Sequence, residues 1–382
     1  MPTGIDRTVT LFYAQTLWAG IEKGYGRGVG LDYETPDHNM LAALQKNVYQ
    51  FSAAKNYSQL KALTEALVDE GGKLRSKSQY FTAAKKINSD HVDQWLETER
   101  ATAIGSGQMA GKWVTIQEQK KFLPILEYDA VLDGRTTDLC RSLDGVRKPV
   151  DDAFWNTYFP PNHFGERATV RQQSGGRITP DAEIVHPEKI PPMFKTNLAK
   201  NGLAFPAGHP YWVGCPPEVL AEALTLLPYD SQFALLEQTR EGWVRRHMLV
   251  SEQGADYAYL KELAGEQARK GAKVDLLPIL HESDPTRATI FPDALPRKSP
   301  DLRINGLLWE VERPLNPKSL NNLKHAIDAG AKQAGHVIIY LMEEISEQHM
   351  RRVVLGRFKD HKGLKMVVFR YKGQYKPFTR PE

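Results

Sequence analysis

Apolar residues recur at three- and four-residue steps in Met40-Leu41-Leu44-Val48-Phe51 and in Leu60-Leu63-Leu67. That spacing places one apolar stripe on a helix, so residues 36–126 are expected to be mostly helical. The acid-rich start of Asp90-His91-Val92-Asp93-Gln94-Trp95 suits a helix N-terminus. Gly71-Gly72, Gly105, Gly107 and Gly111 interrupt the pattern, as helix ends or close helix contacts do. From Lys121 the pattern changes. Phe122–Val131 reads as a strand, and a turn-rich stretch follows to Gly176. Residues 174–215 are rich in Gly and Pro and read as linker with short elements. Residues 216–248 return to helical spacing in Val219-Leu220-Ala223-Leu224 and Phe233-Leu235-Leu236.

Beyond Ala255 the elements alternate. Tyr257–Lys270 and Ser319–Ala334 read as helices, as does Ser346–Val354. Val274–Leu277, His336–Leu341 and Leu364–Tyr371 read as strands. Asp301–Glu312 reads as a hairpin turning at Asn305-Gly306, a pair that tolerates the positive φ angles of a type I′ turn. The expected fold class is α+β and multidomain: a helical region (1–120), a small irregular α+β core (121–176), a linker and helical segment (177–254), and a basic α/β domain (255–382).

The chain has 382 residues, 41% hydrophobic and 25% charged, which excludes a wholly disordered chain or a coiled-coil rod. Its longest apolar runs fall well short of the ~20 residues of a membrane-spanning helix, so no membrane partner is expected. The first fifteen residues carry no signal-peptide pattern, and two cysteines cannot build a disulfide framework, which points to a reducing cytosol. The net charge of +4 is unevenly placed: from Arg297 onward 17 Lys and Arg face 9 acids, a local net of +8. Such a basic end suggests an anionic partner, RNA or DNA first, against a merely solvated surface.

Two constellations stand out. In the first, Asp133-Gly134-Arg135-Thr136-Thr137-Asp138 can form a hydrogen-bonded turn in which Arg135 bridges carboxylates, or a metal or hydrolytic site with His163. In the second, Asp301 and the alternating pair Glu310 and Glu312 would gather on one strand face. Three carboxylates there suit Mg²⁺, held by Asp301 and Glu310 if the domain is active.

The run Asp133-Gly134-Arg135-Thr136, Leu143-Asp144-Gly145, Asp152-Ala153-Phe154-Trp155 and Pro160-Pro161-Asn162-His163-Phe164 resembles the phage Mu protein F-like head morphogenesis proteins. Asp133, Arg135, Thr136, Asp152, Trp155, Pro161 and Asn162 carry the match. The resemblance implies a minor structural protein of head assembly, meeting portal or capsid proteins in the host cytoplasm and ending in the virion head. Where that family usually carries Cys-Arg-Cys, this chain has Glu166-Arg167-Ala168, so a cysteine-based site is set aside. The C-terminal order of elements resembles the transfer-RNA nuclease domains of contact-dependent inhibition toxins. Pro300-Asp301 followed by Glu310-Val311-Glu312 approximates the restriction-endonuclease motif Pro-Asp…(Asp/Glu)-x-Lys, with Glu312 in the lysine position. This implies a phosphodiesterase whose catalytic residues are Asp301, Glu310 and Glu312. Lys318, Lys324, Arg351 and Arg352 are the candidates for phosphate contact, and Lys318 or Lys324 for the missing cation. Metal-assisted hydrolysis, metal-free cleavage through the RNA 2′-hydroxyl with a carboxylate or a His (His325 or His349) as base, and an inactive nucleic-acid-binding descendant all remain open.

Overall fold

A computed structural model describes residues 2–26, 36–187, 190–282, 284 and 286–381. The chain divides into two compact units, Met1–Leu227 and Pro228–Glu382.

In the first unit, α1 (Arg7–Tyr25) begins at Asp6, whose side chain accepts from the Val9 N–H at 3.0 Å, and ends at Gly26 with φ 68°. Next come α2 (Pro36–Glu65), α3 (Lys77–Ser89), a π-helical turn over Asp90–Trp95, and α4 (Leu96–Gln119). α1 packs against α4 at backbone distance. A Cβ on Gly24 would stand 1.9 Å from the Ile104 carbonyl oxygen, and one on Gly107 2.5 Å from that of Ile21. The interior glycines of α4 therefore serve close helix packing and do not end the helix. Lys55 of α2 is wholly buried and held by Glu99 of α4 at 2.7 and 2.9 Å.

The small core follows as β1 (Ile125–Asp129), α5 (Asp138–Leu143), β2 (Arg147–Pro149), α6 (Phe154–Tyr158) and β3 (Thr169–Gln173). β1 is the centre of an antiparallel sheet ordered β2-β1-β3. The stretch expected to be a linker is packed instead. Phe194, Leu198 and Phe205 are buried, and Phe205 stacks on Phe51 with ring centroids 3.8 Å apart. Its irregular backbone still needs partners, and Asn47 supplies them by accepting from the N–H groups of Ala204 and Phe205 at 2.9 and 2.7 Å. α7 (Pro217–Leu224) closes the unit.

In the second unit, the helical reading of 216–248 fails in its latter half. Phe233–Gln238 (β4) and Trp243–His247 (β5) form an antiparallel pair. Short apolar runs fit either period, and here the Thr239–Gly242 turn decides: the Thr239 hydroxyl accepts from the Gly242 N–H at 2.9 Å. The chain continues as α8 (Tyr257–Ala268), β6 (Lys273–Leu276), α9 (Arg287–Ile290), β7 (Leu302–Ile304), β8 (Leu307–Glu312), α10 (Leu320–Ala331), β9 (His336–Leu341), α11 (Glu347–Asp360), β10 (Met366–Tyr371) and β11 (Gln374–Thr379). All eight strands form one mixed sheet, ordered β11-β10-β9-β8-β7-β6-β5-β4. Alternate residues of β9 serve different cores. Ile338 and Tyr340 pack with Leu263 and Ala264 of α8, while Val337, Ile339 and Leu341 pack with Leu323 of α10 and Val353 of α11. The mixed α/β expectation thus holds, with three strands, β4, β5 and β11, beyond the five the sequence suggested.

Candidate functional site

The carboxylates of the second unit are placed by a hairpin and its neighbour. Asn305 and Gly306 have φ 48° and 85°, as a type I′ turn requires, and they set the register Leu302↔Trp309. One step further along, Asp301 stands across from Glu310. Its Oδ2 accepts from the Val311 N–H at 2.9 Å, which fixes the side chain on the strand edge. On the other side β8 runs parallel to β9, with Glu310 beside Val337 and Glu312 beside Ile339. Val337 and Ile339 face α10 and α11, so Glu310 and Glu312 face that side too. A Cβ on Gly330 of α10 would come 3.3 Å from Glu312 Cγ, which shows how closely the helix covers this face.

Crowding these acids makes them hard to ionise. Burial pushes Asp301 up to about 7, against the Val311 hydrogen bond, and the charges of Asp256 and Glu312 add to it. Glu310 rises to about 9, through burial first and then Asp301 and Glu312. The backbone N–H of Asp301 and the charge of Lys298 oppose that rise. Glu312 is raised by burial and by Asp256. Glu310 Oε2 is buried with no hydrogen-bond partner. Carboxylate oxygens, one of them orphaned, are the donor type that hard divalent cations prefer. The acids share a face without closing on one point. Among the described residues, the one group of three Cys, His, Asp or Glu side chains with ligand atoms all within 4.8 Å is Cys140, His163 and Glu166, in the first unit.

Sequence reasoning missed two contributors. Asp256 stands at the N-terminal boundary of α8, 45 positions before Asp301, and Tyr259 hydrogen-bonds to it. Lys298 is the cation whose charge favours ionised Glu310. Lys318, offered as a substitute for the motif lysine, pairs with Glu343 at 2.8 Å instead. Arg351 lies 3.7 Å from Glu347 one helical turn away. Lys324 and Arg352 are exposed on α10 and α11.

In the first unit the turn motif is ordered differently from the expectation. Arg167, not Arg135, grips Asp133, with two bonds of 2.7 and 2.8 Å, while Arg135 gives Asp133 only its backbone N–H at 2.9 Å. That fork holds the Asp133 carboxyl well below its usual range. Thr136 donates to the Val131 carbonyl, and Asp152 accepts from the Phe154 N–H at 2.8 Å. Trp155 is buried with its indole N–H on the Pro149 carbonyl at 2.9 Å. Asn162, next to Pro161, is fully buried and donates to the Thr157 carbonyl at 2.8 Å. These residues pin loops, and the cysteine-based site set aside from sequence is partly present in Cys140.

Two family models match separate stretches of the chain. Residues 44–171 match the family model described as Phage Mu protein F like protein. Residues 298–373 match that of the Contact-dependent growth inhibition CdiA C-terminal domain. The putative capsid assembly protein F of Escherichia phage Mu is 35% identical over 69 residues, 18% of this chain. That stretch spans only 16% of the relative's length. Among solved structures, the CdiA-CT/CdiI toxin and immunity complex from Burkholderia pseudomallei is similar at 18% identity, covering 35% of this chain and 91% of that one, with a TM-score of 0.25. The chain therefore carries a Mu F-like region followed by a CdiA C-terminal-like region. No helix among the described residues is long and apolar enough to cross a membrane.

Proposed function

We propose that this chain is a minor head protein of a phage or prophage that carries a metal-dependent nuclease in its C-terminal unit. The Mu F-like match over residues 44–171 supports the first half, with portal or capsid proteins as partners and the virion head as destination. The observation that carries the second half is Glu310: a carboxylate raised to about 9 beside Asp301 and Glu312, with one buried oxygen unpartnered. Acids so arranged are poorly stable unless something positive sits among them. The substrate we propose is RNA, transfer RNA above all, on the resemblance of the C-terminal element order to the transfer-RNA nuclease domains of contact-dependent inhibition toxins; the match of residues 298–373 supports the toxin-domain family alone.

Asp301, Glu310 and Glu312 would hold the cation, with Asp256 behind them. Bound there, it supplies an activated water and charge neutralisation at the scissile phosphate. Asp301 is oriented for this by the Val311 N–H. Lys298 places a positive charge by Glu310 and takes the part the motif lysine would play at Glu312, offsetting charge that builds on the phosphate oxygens. The exposed Lys324 and Arg352 would meet the nucleic-acid backbone.

The test uses the full chain with transfer RNA and with double-stranded DNA, in Mg²⁺ and in EDTA, for wild type and Glu310→Ala. Cleavage that needs Mg²⁺ and is lost in Glu310→Ala is the expected result. Cleavage that survives EDTA moves the chemistry to a metal-free RNase. Salt-sensitive binding without cleavage makes the domain a nucleic-acid-holding part of the head, and the nuclease reading then falls.

A further inference from the structure

A separate cluster, Cys140, His163 and Glu166, lies in the Mu F-like core, away from any chemistry proposed above. Thr137 caps α5, its hydroxyl accepting from the Cys140 backbone N–H at 3.3 Å. His163 sits in the loop that follows Pro161. Its Nδ1 lies 2.9 Å from the Phe164 carbonyl oxygen. A carbonyl only accepts, so Nδ1 carries the proton and the neutral ring presents a lone pair at Nε2. That Nε2 is 3.4 Å from Cys140 Sγ and 3.2 Å from the Thr137 hydroxyl. Glu166 brings Oε1 to 3.6 Å from the same sulfur, steadied by the Tyr128 phenol at 2.5 Å, while Oε2 accepts from the Asn162 N–H.

We propose that Cys140 Sγ, His163 Nε2 and a Glu166 carboxylate oxygen form a three-ligand zinc site, with a fourth position open toward Ala168. Zn–S near 2.3 Å and Zn–N or Zn–O near 2.0 Å in a tetrahedron put ligand atoms about 3.3–3.8 Å apart. The two observed separations from sulfur, 3.4 and 3.6 Å, fall in that range. A cavity of about 30 Å³ adjoins them, with Thr137, Cys140, His163, Gly165 and Ala168 among its walls. That is room for about one water-sized particle at the open position. Mixed sulfur, nitrogen and oxygen donors select a borderline-soft metal and disfavour Mg²⁺. The outer bonds match what metal ligands need: a carbonyl fixes the imidazole tautomer, and a phenol and a backbone N–H hold the carboxylate.

A nucleophilic Cys–His–acid relay is the competing use of these residues. It needs the acid on the imidazole's far nitrogen, and here that nitrogen is on the Phe164 carbonyl while Glu166 turns to the sulfur. The three groups converge on one point, as ligands do. The zinc would tie α5 to the 160–168 loop, beside the Arg167–Asp133 fork.

The full chain is purified without chelator and assayed for zinc, then stripped and titrated with Co²⁺. A thiolate-to-cobalt charge-transfer band cannot come from the oxygen-only donors of the second unit, and Cys140→Ser separates this site from the other thiol, Cys215. We expect about one zinc per chain and a cobalt band that Cys140→Ser abolishes. Ala168→Cys adds a ligand at the open position, so it strengthens the band and tightens zinc by at least about tenfold. A wild type that binds no zinc and gives no thiolate band overturns the site. So does an Ala168→Cys variant with wild-type affinity, and neither readout depends on a ligand deletion folding well.

Discussion

The acids of the C-terminal sheet and the Cys140 group of the Mu F-like core are both candidate metal sites, yet they are built on opposite electrostatic terms. Asp301, Glu310 and Glu312 repel one another, and one Glu310 oxygen is buried with nothing to accept. Glu166 has a donor on each oxygen. In the first group, burial and neighbouring charge resist ionisation. The second is already closed by hydrogen bonds and would gain a fastening. A strained, unsatisfied cluster is the pattern of chemistry, and a satisfied one is the pattern of structure.

The substitution Glu→Gln breaks this comparison if the two sites are alike. Its largest effect is on activity: Glu310→Gln keeps the shape and removes a charged donor, so Mg²⁺-dependent cleavage of transfer RNA should fall by about 10²-fold or more, read from initial rates. Next is stability, where the signs should be opposite. In metal-free protein at pH 8, Glu310 stays largely protonated when folded but ionises when unfolded; Glu310→Gln removes that cost and stabilises the second unit by on the order of 2 kcal/mol. Glu166→Gln turns an amide donor toward Tyr128 or Asn162 and costs about 1–3 kcal/mol. Denaturant unfolding at fixed pH reads both. Equal signs would mean that the C-terminal acids are not strained.

The same strain has a pH signature. Asp301 goes from an ordinary 3.8 to about 7 and Glu310 from 4.5 to about 9, so both bind protons more tightly folded than unfolded. Their contribution is most favourable below about pH 4 and is lost as pH rises toward about 9. Other groups add their own slopes, so the test is the difference between wild type and Glu310→Gln. Wild type should lose more melting temperature between pH 5 and pH 9, about 2–4 °C for each kcal/mol, and Mg²⁺ should restore part of it at the high end.

The two sites also differ in how far the sequence reveals them. The acids were legible because Asn305-Gly306 specifies the turn and strand alternation does the rest. Their supports were not, since Asp256 arrives from a helix 45 residues earlier and Lys298 lies outside the motif. In the core, the absence of two cysteines at Glu166 and Ala168 argued for no site, because spacing alone does not say that a glutamate oxygen can stand near Cys140 Sγ. The Arg167–Asp133 fork was hidden for a similar reason: Arg135 is nearer in sequence, but β3 brings Arg167 back past the turn. The β4–β5 pair was misread because Phe233-Leu235-Leu236 fits a helix stripe as well as a strand.

The smallest effect concerns Lys298. Its charge favours ionised Glu310, and it lies next to the Pro-Asp pair instead of at the position Glu312 occupies. If Lys298 only tunes Glu310, then Lys298→Met should raise the Glu310 pKa, moving the alkaline rise of the pH–rate profile upward while the plateau rate stays near wild type. If it also offsets charge on the phosphate, the plateau itself should fall, by about 3–10-fold, which is about 1 kcal/mol of transition-state stabilisation. Lys298→Arg keeps the charge and should recover the pH profile in either case. A profile and plateau both unmoved by Lys298→Met would leave the C-terminal acids with no cation from this chain, and the contrast with the self-sufficient Cys140 group would then be complete.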